Sequence, residues 1–148
     1  MNNEEKYKYW LDIAEYDLET ARAMYISGRY LYVAFMCQQA VEKIVKGLHV
    51  LYTGEEADRT HNIVARIFNK IFKDPSRILL LKDADLTTKK DHYIEFFAEL
   101  LFYYISERYP TYKQKLSTSI SKQKAKTVLD KTEEVFEWLK SLAQYKKY

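Results

Sequence analysis

The side chains of this sequence that could support acid–base, redox or metal chemistry are few and lie far apart. The three histidines, His49, His61 and His92, share no spacing that would place two of them on one metal ion. The single cysteine, Cys37, falls on the apolar side of a helical pattern, which is typical of a small core residue. The sequence has no glycine-rich phosphate loop, no paired cysteines and no HExxH motif. We therefore expect no metal ion and no cofactor, and any active site must be assembled from separate helices.

Positive charge is concentrated in the last part of the chain. Residues 113–148 contain nine lysines and four acidic residues, a balance of +5, whereas the whole chain carries +3. Five of these lysines precede the first acidic residue of the segment: Lys113, Lys115, Lys122, Lys124 and Lys126. A cluster of this kind is usually a solvated surface and in some proteins binds phosphate. The cluster is compatible with both uses.

The composition favours a single all-α domain over residues 1–148. Only 3 glycines and 2 prolines are present, whereas a turn-rich β-sandwich needs more of both. No apolar run approaches the roughly 18 residues that span a membrane, and the N-terminal residues are too polar for a signal peptide. A lone cysteine is typical of a reducing compartment. We expect a cytoplasmic protein that does not enter the membrane.

The periodicity of the apolar residues predicts an up-and-down helical bundle of four long helices plus one or two short ones. The predicted long helices cover residues 4–27, 30–53, 88–108 and 121–144, and the short ones fall within 61–72 and 76–85. Only Gly28 and Arg29 separate the first two long helices, so these must form an antiparallel hairpin. The third long helix is predicted to begin at Thr87 or Thr88, and Asp91 is placed to form a capping-box-like arrangement with Thr88. That helix should end near Arg108, because a proline follows two residues later.

The second long helix carries the run CQQAVEKIVKG, from Cys37 to Gly47. Glycine inside a helix costs about 1 kcal/mol relative to alanine, so we expect another backbone or an aromatic ring to approach Gly47 closely. Glu42 and Lys46 are predicted to form an i, i+4 ion pair. The polar residues of the run form either a solvated face or the wall of a cleft: Gln39, Glu42, Lys43 and Lys46.

Four blocks of sequence occur in a characteristic order. The first long helix contains AEYDLETARAMYISGRY and the second contains AFMCQQAVEKIVKGL. A later His-Asn-Ile, beginning at His61, is followed by YYISERYP, which ends at Pro110. Together these blocks resemble the HEPN domain, a family named for higher eukaryote and prokaryote nucleotide binding, over most of the chain. The resemblance implies a helical bundle that forms a homodimer, with a groove between the subunits into which Arg108 points.

The resemblance also implies a function and a set of site residues. Many HEPN proteins are toxins or RNases, often encoded beside a minimal nucleotidyltransferase that acts as an antitoxin. The implied ligand-binding residues are Arg108, Tyr109, Lys113, Lys43 and Gln39. The catalytic candidates are Arg108 and His61. If a partner nucleotidyltransferase modifies this chain, the candidate target residues are Tyr109 and Tyr112.

The RNase motif of the family, Arg-x(4–6)-His, is incomplete in this chain. The positions at which its histidine would stand hold Lys113, Gln114 and Lys115. Lysine, with an ordinary pKa near 10.4, is a poor proton acceptor at neutral pH. Arg108 can still bind a phosphate with two parallel hydrogen bonds. The sequence therefore favours a HEPN-type module that binds a nucleotide or RNA phosphate and has a toxin-like relation to a nucleotidyltransferase.

Two alternatives stay open at this point. One is a metal-independent RNase with a degenerate motif, in which His61 supplies the acid–base role from another helix. The other is an interaction protein that performs no chemistry and only binds its partner.

Overall fold

The computed structural model describes residues 1–59, 62–63, 86–108 and 118–143. These ranges contain four long helices: α1 (Asn3–Ile26), α2 (Tyr30–Thr53), α3 (Leu86–Arg108) and α4 (Lys122–Leu142). Within the described ranges there is no β-strand. The prediction of an all-α bundle is thereby confirmed. The two predicted short helices lie mostly outside the described residues.

Local sequence sets the ends of the first two helices. The Asn2 side-chain oxygen accepts a hydrogen bond from the Glu5 backbone N–H at 2.8 Å, which caps the start of α1. Gly28 and Gly54 follow the ends of α1 and α2 with φ of 74° and 78°, a left-handed conformation that residues with a side chain rarely adopt. The turn at residues 27–29 therefore folds α2 back along α1, as the spacing predicted.

The start of α3 differs from the prediction. The helix begins at Leu86, so Thr88 lies inside its first turn and the predicted capping box from Thr88 to Asp91 is wrong. The reason is that threonine is tolerated inside a helix, so a capping signature does not by itself force the helix to begin there. α3 reaches Arg108, where the prediction placed its end, and the next residue lies outside the described ones. The start of α4 is also confirmed, because Ser121 Oγ accepts a hydrogen bond from the Lys124 backbone N–H at 3.1 Å.

α2 is the central helix and packs against α1, α3 and α4. Near its start, the ring of Phe35 stacks on Tyr104 of α3, with centroids 6.2 Å apart. Near its end, the Tyr52 hydroxyl donates a hydrogen bond to the carbonyl oxygen of Leu142, the last residue of α4, at 2.6 Å. The largest fully buried side chains around α2 are Tyr93, Phe97, Phe136, Ile44, Leu48, Leu100, Leu139 and Leu142. A hydrophobic core on three sides of α2 therefore holds the bundle together.

Gly47 lies where α1 and α2 approach closely. A Cβ atom at this position would lie 2.9 Å from Cβ of Trp10 and 3.1 Å from Cδ2 of Tyr7. Carbon atoms in contact are normally about 3.5–4.0 Å apart. The expectation of a close approach at Gly47 is confirmed, and the missing side chain is what permits it.

Candidate functional site

Arg108 is the last residue of α3, at the end of the bundle where α2 begins. It follows Tyr104 by four residues, about one helical turn. The Tyr104 ring is stacked on Phe35 with an interplanar angle of only 10°. Because Phe35 lies near the start of α2 and Tyr104 near the end of α3, these two helices run antiparallel. The helical turn that carries the Arg108 backbone is therefore anchored on the first turns of α2.

Lys43, one of the predicted ligand-binding residues on α2, is held by a carboxylate of α1. Its Nζ lies 2.5 Å from Oδ2 of Asp17, which is only 6% exposed. Lys43 therefore faces α1 and lies about two turns from Phe35, which faces α3. Gln39 is half-buried and lies one turn before Lys43. The ammonium charge of Lys43 is balanced by Asp17, so this lysine adds little net positive charge to its surroundings.

A second polar group on α2 is buried as well. Glu42 is 5% exposed, and its carboxylate lies 3.0 Å from Lys46 Nζ and accepts a hydrogen bond from Gln38 Nε2 at 3.3 Å. Lys46 Nζ also lies 5.9 Å from the centre of the Trp10 ring. The predicted Glu42–Lys46 pair is confirmed, but the interpretation of this stripe as a solvated face is wrong for Glu42. These partners compensate for the cost of removing the Glu42 carboxylate from water.

Two lysines of the basic cluster are already paired. Lys124 Nζ lies 2.6 Å from Oε1 of Glu99 on α3, and Lys126 Nζ lies 2.7 Å from Oδ1 of Asp130. Glu99 also accepts a hydrogen bond from the Tyr103 hydroxyl at 3.0 Å. Burial, together with the Glu99 carboxylate, raises the pKa of Tyr103 well above its usual range. Lys124 therefore joins α4 to α3, whereas Lys126 pairs within α4, and the charge of each lysine is already matched by a carboxylate.

The remaining predicted site residues, His61, Tyr109, Tyr112 and Lys113, lie outside the described residues. Among the residues that are described, no three His, Cys, Asp or Glu side chains come together in a way that could hold a metal ion. None of the helices in the described ranges is long and apolar enough to cross a bilayer.

Sequence reasoning missed Asp17 as the partner of Lys43. The signal was present, because Asp17 stands between Ala14 and Leu18 in the apolar stripe of α1 and all three are buried. A carboxylate at a buried position of a helical stripe needs a cation from a neighbouring helix. The lysines of α2 were the nearest candidates along the hairpin.

Cys37 is a core residue, as its position in the pattern predicted. It is fully buried, and this burial raises the pKa of its thiol to about 12, although a hydrogen bond with Thr132 acts in the opposite direction. A raised pKa means that the protonated thiol is the form favoured by folding. Its contribution to stability is therefore present below the unfolded pKa of about 9 and is lost as the pH rises toward 12.

We expect the Cys37 thiol of the folded protein to be almost unreactive toward an alkylating reagent near pH 8. The raised pKa leaves on the order of a thousandfold less thiolate than an exposed cysteine would have. Mass spectrometry of the native protein after brief treatment with iodoacetamide should show little modification, whereas the urea-unfolded protein should be modified fully. Rapid labelling of the native protein would contradict the buried position of Cys37.

In the described residues, α2 packs against the other three long helices, and this arrangement, with an arginine at the end of α3, defines an all-α bundle of the HEPN type. The HEPN domain family model matches residues 7–142, so the chain belongs to the HEPN domain family.

Two solved structures share this fold. The protein TT1696 from Thermus thermophilus is 23% identical, with a TM-score of 0.70 over 96% of this chain and 99% of that one. ST0689, described as an archaeal HEPN homologue, is 27% identical, with a TM-score of 0.65 over 93% of this chain and 97% of that one. Among curated proteins there is no significant match.

Proposed function

We propose that this chain is a HEPN-type module that binds a nucleotide or RNA phosphate through Arg108, in a cleft between two copies of the chain. The observation that carries the proposal is the position of Arg108 one turn after Tyr104, whose ring is stacked on Phe35. A ligand-binding side chain on an anchored helical turn loses less conformational entropy on binding than one on a flexible loop.

The proposed roles follow from the chemistry of each side chain. Arg108 binds the phosphate with its planar fork, and Tyr109 and Lys113, which come next along the chain, add a hydroxyl and a second positive charge. Gln39 and Lys43 contribute from α2. Because Asp17 holds Lys43, that lysine serves mainly as a hydrogen-bond donor, and most of the attractive charge comes from Arg108 and Lys113.

Because the RNase motif is incomplete, the chain binds RNA in this proposal but does not cleave it. RNA cleavage without a metal ion needs a group that accepts the 2′-hydroxyl proton, and a lysine at position 113 does this poorly at neutral pH. The alternative is an RNase in which His61 supplies that group. The proposal extends to a toxin-like partnership with a minimal nucleotidyltransferase, which would act on Tyr109 or Tyr112.

The proposal is tested with a fluorescently labelled single-stranded RNA and the purified protein. We expect fluorescence anisotropy to show binding that weakens steeply as the salt concentration rises from about 50 to 200 mM, because phosphate contacts release counterions. The same RNA, incubated with an excess of protein and a chelator, should remain intact on a denaturing gel. Absence of binding at low salt would contradict the proposal, and cleavage in the presence of chelator would favour the RNase.

A further inference from the structure

A small pocket opens on the surface of α1, beside the loop that follows α2. It has a volume of about 290 Å³, and most of its wall is apolar or aromatic. The lining residues are Met1, Lys6, Tyr9, Trp10, Ile13 and Glu56. Pockets for drug-sized ligands usually measure about 300–1,000 Å³, so this one suits a smaller molecule.

The Trp10 side chain forms a fixed wall of this pocket. Its Cβ atom packs at Gly47 of α2, where an added side-chain carbon would lie only 2.9 Å away. Lys46 Nζ, which is paired with Glu42 at 3.0 Å, lies 5.9 Å from the centre of the Trp10 ring. Two neighbouring residues of α2 therefore hold the indole in place before a ligand enters. A wall that is already ordered loses little entropy when a flat ring packs on it.

One edge of the pocket carries a pair of opposite charges. Lys6 Nζ lies 3.9 Å from Oε1 of Glu56, and the two side chains are 35% and 58% exposed. This separation is longer than the roughly 2.7–3.2 Å of a hydrogen bond, so both head groups keep their capacity to form hydrogen bonds with a ligand. In the described part of the chain, neither of them has another ion-pair partner.

The local structure after α2 places Glu56 beside α1. Gly54 ends α2 in a left-handed conformation, with φ of 78°, so the chain turns sharply there. The Glu55 backbone N–H then donates a hydrogen bond to Thr53 Oγ1 at 3.1 Å, which holds the turn. The next side chain, Glu56, comes within ion-pair distance of Lys6, one helical turn before Trp10. The charged edge therefore results from the packing of the α1–α2 hairpin.

We propose that this pocket binds a free aromatic α-amino acid. Its ammonium group contacts Glu56, its carboxylate contacts Lys6, and its ring packs on Trp10 and Ile13. In a free amino acid the ammonium nitrogen and the carboxylate carbon are two bonds, or about 2.5 Å, apart. Two opposite charges so close together fit the two charges of the edge, which are 3.9 Å apart and stand in the reverse order.

The same features disfavour other small ligands. A residue within a peptide carries no charge on its own main chain, and a purely apolar molecule leaves both charges of the edge unused. A ligand with a single charge is attracted by one residue of the edge and repelled by the other. An aromatic side chain is favoured over an aliphatic one, because rings pack on tryptophan in offset or edge-to-face geometry.

The pocket is separate from the proposed phosphate site. Trp10 packs at Gly47, whereas the turn that carries Arg108 is anchored on Phe35. Phe35 and Gly47 stand twelve positions apart in α2, which is about 18 Å along the helix axis. The inference therefore goes beyond the proposed function and does not depend on it.

A groove between α1 and α4 is a weaker candidate for such a ligand. Its volume is about 150 Å³, and two of its charged residues already have close partners. Arg22 lies 2.7 Å from Glu133, and Lys140 lies 3.2 Å from Glu15. A zwitterion would have to break these contacts before it could bind there.

The first test is fluorine NMR with para-fluoro-L-phenylalanine and the purified protein. We expect broadening and a shift of the fluorine signal, with a dissociation constant of about 1 mM or tighter for a ligand of this size. Two analogues complete the test: para-fluorophenylacetate lacks the ammonium group, and para-fluorophenethylamine lacks the carboxylate. Each should bind about three- to fivefold more weakly, because one ion pair is lost.

Two results of the first test would overturn the inference. One is an unchanged fluorine signal of the amino acid at concentrations up to about 10 mM, roughly ten times the expected dissociation constant. The other is an analogue that binds as tightly as the amino acid, since the two charges of the edge would then not be read together.

The second test assigns each charge of the ligand to its partner. Lys6→Met should weaken the amino acid about three- to fivefold but should not weaken the amine analogue, which has no carboxylate. Glu56→Gln should weaken the amino acid similarly but not the acetate analogue. The matched controls are Lys8→Met and Glu55→Gln, which remove the same charges from exposed positions outside the pocket. The controls should leave all three affinities unchanged. Unchanged binding of the amino acid by Lys6→Met and Glu56→Gln would contradict the assignment.

The third test fills the pocket. Ile13→Trp places a larger side chain in its wall, so we expect the affinity for the amino acid to fall by about tenfold or more. Circular dichroism checks that the variant is folded, and binding of labelled RNA should persist because the phosphate site is elsewhere. If folded Ile13→Trp binds the amino acid as tightly as the wild type, the ligand does not occupy this pocket.

Discussion

Arg108→Ala is expected to weaken the binding of RNA or nucleotide by about 1.5–3 kcal/mol, the usual contribution of a hydrogen bond to a charged group. This corresponds to an increase of about 10- to 150-fold in the dissociation constant. Arg108→Lys should recover only part of the loss, because an ammonium group keeps the charge but loses the planar fork. Fluorescence anisotropy with one labelled RNA at a fixed salt concentration measures all three proteins.

The matched control is Arg59→Ala, which removes the same charge from an exposed position in the loop after α2. It should change the affinity by less than about threefold, since a remote surface charge is largely screened. Lys113→Ala should lower the slope of affinity against salt by about one unit if that lysine contacts a phosphate. If the wild type and Arg108→Ala bind RNA equally well, Arg108 is not the phosphate ligand. The hypothesis that then remains is the interaction protein that performs no chemistry. RNA cleavage that Arg108→Ala abolishes would instead establish the RNase.

Gly47→Leu is expected to destabilise the fold by about 3 kcal/mol or more, a large part of the 5–15 kcal/mol that holds a typical domain folded. Even a single added carbon would lie 2.9 Å from Cβ of Trp10. That atom is attached directly to the α1 backbone, so it cannot move aside without shifting the helix. Leucine adds three further heavy atoms at the same place. Urea unfolding followed by circular dichroism measures the loss.

Gly47→Ala separates two opposing effects at the same site. Alanine gains about 1 kcal/mol of helix propensity over glycine, whereas overpacking costs about 1–3 kcal/mol. We expect the overpacking to prevail and the variant to be slightly less stable than the wild type. Ala23→Leu, at an exposed position of α1, is the control and should change the stability by less than about 0.5 kcal/mol. A Gly47→Leu variant as stable as the wild type would show that α1 and α2 are further apart than described.

The ends of α1 and α2 could be predicted because single residues determine them. Asn2 supplies a cap that acts over three residues, and Gly28 and Gly54 adopt the left-handed backbone conformation that other residues avoid. The start of α3 was predicted less well, since Asp85, Thr87 and Thr88 can each cap a helix and the sequence does not choose among them. Where local signals are weak, tertiary packing decides the boundary.

The polar contacts also differ in whether local sequence or the packing of helices determines them. The Glu42–Lys46 pair spans four residues and follows from helix geometry alone. The Lys43–Asp17 pair spans 26 residues and depends on which face α1 turns toward α2, which a helical pattern indicates only within a wide arc. The burial of Glu42 likewise depends on which face of α2 the neighbouring helices cover. A sequence shows that a stripe is polar, but only the packing of neighbouring helices shows whether the stripe reaches water.

The hydrogen bond from Tyr52 to Leu142 joins residues that are 90 positions apart, and this separation affects how the chain is made. During synthesis, α1 and α2 can form their hairpin as soon as both have left the ribosome, because the turn at Gly28 is local. The side of α2 that receives α4 then has no cover until residue 142 has been added. At about 5–20 residues per second, this delay is roughly 4–18 s. Cys37, which is fully buried in the finished bundle and contacts Thr132 of α4, is open to chaperones or to premature association throughout that interval.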